Sequence, residues 1–165
     1  MTTTQTNQAN QANQANQVKD EQFLHSSLNR QIAGWSVLYT KLHNFHWYVK
    51  GPHFFKLHEK FEEFYNEAAE NLDVVAERLL AIGGRPAATI SEHLSLSPVE
   101  EAAQGLSAEQ MVQAIVEDYT TMVEAMAEAQ EAAENLDDQV TADMLIGMQA
   151  SLQKQVWMLN AFLGK

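Results

Sequence analysis

Four stretches of this sequence carry apolar residues mainly at spacings of three and four, the stripe that an amphipathic helix presents to a core. The first holds Phe23, Leu24, Leu28, Ile32, Trp35, Leu38 and Leu42 and is predicted to run from about Val18 to about Val49. Gly51-Pro52 interrupts it, because Pro disfavours helical geometry at the preceding residue yet suits the start of a new helix. The second stripe is Leu57, Phe61, Phe64, Ala68, Leu72, Val75 and Leu79, and Gly83-Gly84 supplies a left-handed stop. Ser107-Ala-Glu-Gln110 has the form of a capping box and opens a third helix through about Glu134, with Met111, Ile115, Tyr119, Met122 and Met126 inward. Asp137 or Asp138 caps the fourth, whose inward set is Leu145, Met148, Leu152, Val156 and Leu159. The Met and aromatic stripes of the last two helices read as core, not as a haem box.

Residues 85–106 hold two prolines and several Ser and Thr, so they form a long connection, with a short helix expected around SPVEEAAQ. In a four-helix bundle such a crossover joins helices that are not simple antiparallel neighbours. The expected architecture is all-α, a four-helix bundle whose long crossover between the second and third helices carries a short helix. At 165 residues the chain suits one domain, residues 18–165. It follows a polar Asn-Gln-Ala tract read as a flexible tail, residues 1–17. No apolar run approaches the ~20 residues of a membrane span and the first twenty residues lack a leader's apolar core, so a cytoplasmic, membrane-free protein is expected.

With no cysteine, disulfides, thiolate nucleophiles and Cys-based metal sites are excluded, and any metal must be held by His and carboxylates. His58 and Glu62 are four residues apart, as are Asp73 and Glu77, so each pair shares a face of the second helix. At about 100° per residue, the sector holding all four lies roughly 130° from the apolar stripe, so the ligand face is not the core face. No Glu-x-x-His motif, the signature of an in-bundle di-iron site, occurs anywhere, and every histidine lies before residue 94. His58 and Asp73 are fifteen positions apart, roughly 22 Å along a helix, so one chain cannot bring both pairs to one ion. Two second helices packed antiparallel about a two-fold axis would join His58 and Glu62 of one chain to Asp73 and Glu77 of the other, with His46 added across the Gly-Pro turn. Such a set suits Fe(II) and could also accept Mn, Co or Zn.

The segments His46-Trp47, Gly51, Leu57-His58-Glu59-Lys60-Phe61-Glu62 and Asp73-Val-Val-Ala-Glu77-Arg78 resemble, in order and spacing, the motifs of the Dps family of mini-ferritins within the ferritin-like superfamily. The resemblance covers roughly residues 20–163. It implies a ferroxidase centre of His46, His58 and Glu62 from one subunit with Asp73 and Glu77 from its two-fold mate; many members carry Asp, one methylene shorter, where Glu62 stands. It further implies Fe(II) oxidation preferentially by hydrogen peroxide, storage of ferric mineral in a hollow homododecamer, and protection against oxidative damage. The same resemblance suggests Asp138 and Asp143 as candidates for acidic pores that admit iron, although helix capping accounts equally well for Asp138.

Direct DNA binding depends in some members of that family on a basic tail. Here the first twenty residues hold one basic residue, Lys19, and a formal charge of −12 disfavours contact with phosphate, so little direct DNA binding is expected; bridging by divalent cations is a separate route, and a DNA-compacting protein with secondary metal binding is the alternative reading. His43, one turn before His46, reads as a surface or packed histidine, with a supporting role or service as an alternative metal ligand as the other readings, and His25, His53 and His93 are assigned no metal. Trp47 adjoins the expected centre, where packing at a dimer contact is the expected role and electron donation the alternative. Glu59, Glu63, Glu67 and Glu70 read as solvated.

Overall fold

The structure, a computed structural model, describes the backbone of residues 3–165 and the side chains of residues 17–165. Five helices follow in order: α1 Thr3–Tyr48, α2 Phe54–Ala81, α3 Ile90–Leu96, α4 Ala108–Asn135 and α5 Gln139–Phe162. The helices α1, α2, α4 and α5 close around one core, in which α1 pairs with α2 and α4 with α5. Nearly every residue of the four predicted stripes is buried there; Leu72 and Val156 are partly buried, and Phe23 is the exception, half exposed beside the buried Leu24.

α1 begins well before Val18, so its helical backbone includes the Asn-Gln-Ala tract expected as a tail. That tract contains neither Gly nor Pro, Ala and Gln rank high in helix propensity, and adding residues to an existing helix avoids the nucleation cost. At the other end, Gly51 takes φ +112 in the tight turn that reverses the chain into α2. α2 ends on Gly83 at φ +84, where the Gly84 N–H reaches back to the Leu79 carbonyl as in a Schellman motif.

The crossover from residue 82 to 107 is as long as expected, but its short helix is α3, not SPVEEAAQ. Thr89 caps α3 in a full capping box with Glu92, whose carboxylate takes the Thr89 N–H at 3.0 Å. The Ser97-Pro98 sequence imitates a helix start, yet the Glu100 carbonyl is drawn to the Lys41 ammonium at 3.1 Å and leaves helical pairing. Other polar groups of the crossover are also tied to the bundle or to each other. Asn29 donates to the Arg85 carbonyl and accepts from the Ala87 N–H, and His93 Nε2 donates to the Ala87 carbonyl at 2.9 Å.

The expected caps of the last two helices are present. Ser107 and Gln110 form the capping box of α4, and Asp138, not Asp137, accepts from the Thr141 N–H at the start of α5. Among the described residues no helix is long and apolar enough to cross a membrane.

Candidate metal centre

The Gly51 turn folds the end of α1 onto the start of α2 and so brings His46 and His58 face to face. Their rings stack with centroids 3.6 Å apart and planes 19° from parallel. His46 Nδ1 lies 2.8 Å from the His58 carbonyl, and His58 Nδ1 lies 2.8 Å from the His46 carbonyl. A carbonyl only accepts, so both Nδ1 atoms carry hydrogen in the neutral rings and each lone pair resides on Nε2. Two half-buried imidazoles are thus held in the tautomer a metal requires, each oriented by the backbone of the other. This donor chemistry fits a divalent transition metal.

Glu62 lies one turn beyond His58 on α2 and is exposed. Asp73 and Glu77 are exposed farther along the same helix, four residues apart. None of the three enters the bundle core, as the helical sector analysis expects. Among the described residues of a single chain, no three His, Asp or Glu side chains converge on one metal position. The chain therefore brings together the two imidazoles and leaves the carboxylates presented outward.

Two aromatic residues border this cluster. Phe54 stacks on the outer face of His58 with centroids 5.0 Å apart. Tyr65, three residues after Glu62, meets the His46 ring edge-on at 5.4 Å and stacks on His43 at 3.7 Å. Burial, then the negative charge of Glu62, push the Tyr65 phenol above its ordinary range. Its i+3 relation to Glu62 is the sequence signal that could have found it. His43 itself is fixed by its Nδ1 bond to the Tyr39 carbonyl at 2.9 Å, and its ring meets Trp47 at 5.3 Å. Trp47 is 67% exposed in the single chain.

Of the four glutamates read as solvated, Glu67 departs from expectation. It is half-buried between α2 and α5, where Ser151 Oγ and Gln155 Nε2 both donate to it. Asp138 is likewise committed, since Arg78 donates to it at 2.6 Å and Thr141 also bonds it, whereas Asp143 is exposed with only Gln139 donating to it.

Comparison with known proteins agrees with this architecture. Residues 25–165 match the family model described as Ferritin-like domain. The chain is 56% identical over 138 residues to DNA protection during starvation protein 2 of Bacillus anthracis, covering 84% of this chain and 94% of that one. It is 51% identical over 143 residues to the DNA protection during starvation protein of Brevibacillus brevis, covering 87% and 96%. The crystal structure of Dps from Staphylococcus aureus superposes with a TM-score of 0.84 at 54% identity, covering 86% of this chain and 95% of that chain. Sequence identity over most of its length, together with the shared fold, shows that the chain belongs to the Dps family of ferritin-like proteins.

Proposed function

We propose that this protein is a ferroxidase and iron-storage subunit. It oxidises Fe(II), preferentially with hydrogen peroxide, at centres shared between two subunits, and stores ferric mineral inside a hollow homododecamer, limiting oxidative damage. The observation that carries the proposal is the His46–His58 pair, preset in the metal-binding tautomer at the surface of a chain whose remaining ligand candidates all face outward.

In this reading His46, His58 and Glu62 of one subunit bind the substrate Fe(II) together with Asp73 and Glu77 of the two-fold mate. Two imidazoles and hard carboxylate oxygens favour Fe(II) and stabilise the higher charge of Fe(III). The Nδ1 bonds keep the rings fixed, so little reorganisation accompanies the change in charge. Peroxide accepts two electrons on reduction to water, and a paired centre supplies them without releasing hydroxyl radical. Asp143, with no cationic partner among the described residues, is the stronger of the two pore candidates, because Asp138 is engaged by Arg78.

The relatives' names speak of protecting DNA during starvation. Protection by removing Fe(II) and peroxide needs no contact with DNA. A formal charge of −12 per chain opposes direct binding at physiological salt. The competing reading, a DNA-compacting protein with secondary metal binding, requires salt-dependent retardation of DNA without added divalent cation.

The test is stopped-flow absorbance of Fe(II) oxidation with stoichiometric peroxide in wild type, in His58→Ala, and in refolded mixtures of His58→Ala and Asp73→Ala chains. A mixed dimer has one centre lacking both ligands and one centre with the full set, so activity restored on mixing supports shared centres. Unchanged rates in the single variants would exclude the proposed centre.

A further inference from the structure

Phe55 and Leu80 are the most exposed large apolar side chains of α2, at 85% and 60%. Both lie on the ligand face. At about 100° per residue, each falls within roughly 10° of the middle of the sector that holds His58, Glu62, Asp73 and Glu77. Phe55 stands three residues before His58 and Leu80 three residues after Glu77, so the two bracket the ligand candidates. The Phe55 ring meets Phe54 edge-on at 5.3 Å, and Phe54 in turn stacks on His58.

Two α2 helices that share a centre have one antiparallel register, the one that sets His58 opposite Glu77 and Glu62 opposite Asp73. In it, each step outward past His58 is matched by a step outward past the partner's Glu77. Phe55 then stands opposite Leu80 of the partner subunit, and Leu80 opposite the partner's Phe55. The same register sets Asn66 against Ala69 of the partner subunit and Glu59 against the partner's Ala76, long side chains against small ones, so the helices approach closely. Glu62 and the partner's Asp73 repel until a cation lies between them, so attraction along this face has to come from apolar contact. We propose that Phe55 and Leu80 of the partner subunit form an apolar lock across the two-fold axis that closes the outer end of each shared centre and fixes the register of its ligands. The proposal rests on the shared-centre reading above. His58 and the partner's Glu77 reach one ion, so the helices are still close one turn farther out, where the lock lies. Neither side chain offers a donor atom, and both act as positioning residues.

The chain has no cysteine, so thiols enter without background. Phe55 and Leu80 of one helix are roughly 37 Å apart, so a short link between the two positions joins two chains. The assembled, full-length Phe55→Cys/Leu80→Cys variant, treated with mild oxidant or a short bis-maleimide, is expected to run as a covalent dimer on denaturing gels, with peptides carrying positions 55 and 80 joined. Phe55→Cys/Val74→Cys, whose second thiol lies off the ligand face, is expected to give no such dimer. In a second measurement without new thiols, Phe55→Ala should weaken anaerobic Co(II) binding several-fold and lower the intensity of its visible absorption as water enters. Phe55→Leu, which restores an apolar side chain, should recover both signals. No link between positions 55 and 80, while mixed His58→Ala and Asp73→Ala chains regain Fe(II) oxidation, overturns the lock and leaves the shared centre standing. Co(II) binding indifferent to Phe55→Ala overturns the positioning role. If no link forms and mixing restores nothing, the shared centre is disproved and the lock falls with it.

Discussion

Lys41 Nζ on α1 lies 2.6 Å from Asp118 Oδ2 on α4, and both side chains are almost wholly withdrawn from water. The same ammonium donates to the Glu100 carbonyl, so one cation fastens two long helices and the crossover together. Burial raises the Asp118 carboxyl above its usual range despite the opposing pull of Lys41, which means the pair is held at a desolvation cost. Asp118→Asn, which leaves the cation buried without its partner, is expected to lower stability by ~3–5 kcal/mol. The double variant Lys41→Met with Asp118→Leu should recover most of that loss. Urea melts at neutral pH decide the matter: a single variant as stable as wild type would show that the ammonium finds water instead.

The opposite sign holds at the start of α5. Burial alone would raise the Asp138 carboxyl, but hydrogen bonds from Thr141 and the Arg78 guanidinium outweigh it and bring it below its ordinary range. A depressed carboxyl contributes stability above its unfolded-state value and loses it as pH falls through the folded-state value. Asp138→Asn keeps a capping side chain while removing the charge, so wild type should melt higher at neutral pH and the gap should close as the solution is acidified below the normal carboxylate range. A gap constant with pH would assign the stability to capping alone.

Gly34 faces α4 so closely that a Cβ there would stand 2.4 Å from Met122 Sδ and 3.2 Å from Pro98 Cδ. Met122 is buried and flexible, whereas the Pro98 ring is not, so relief by side-chain motion is incomplete. Gly34→Ala is expected to cost about 1–3 kcal/mol as overpacking, partly offset by the better helix propensity of Ala. Pairing it with Met122→Ala should recover part of the loss in thermal melts.

At the turn between α1 and α2, Gly51 adopts a backbone conformation at φ +112 that side chains resist. Gly51→Ala is expected to cost ~1–3 kcal/mol and to splay the His46–His58 pair, although no ligand is removed. Anaerobic Co(II) titration, read by its visible absorption, should show affinity weaker by about tenfold or more. Unaltered affinity would mean that the two imidazoles align without the turn.

The helices and most of their inward residues were legible because each stripe is long and each of the later helices has a recognisable cap. Ser107 with Gln110 and Asp138 do in the structure what their positions in the sequence foretell. Ser97-Pro98-Val99-Glu100 and Thr89-Ile90-Ser91-Glu92 carry competing start signals for the short crossover helix; in the structure Thr89 forms the capping box, while the Glu100 carbonyl accepts from Lys41. At the candidate centre, spacing identified His46 and His58 as neighbours, but their mutual Nδ1 bonds depend on the angle between two helices, which no spacing encodes. Tyr65 lies outside the ligand spacing, since its stacking on His43 depends on packing across to α1.

The mutual bonding of His46 and His58 orients each ring through the backbone and not through a neighbouring side chain. Each ring is steered by a carbonyl, a group present whatever side chain occupies a position, so no change of a neighbouring residue type deletes the steering group. In the proposed centre, divergence in metal preference would then arise elsewhere, in the length and number of the outward carboxylates, with Glu62, exposed one turn beyond His58, as the position where a change of one methylene would alter the ligand set and leave the imidazoles in place.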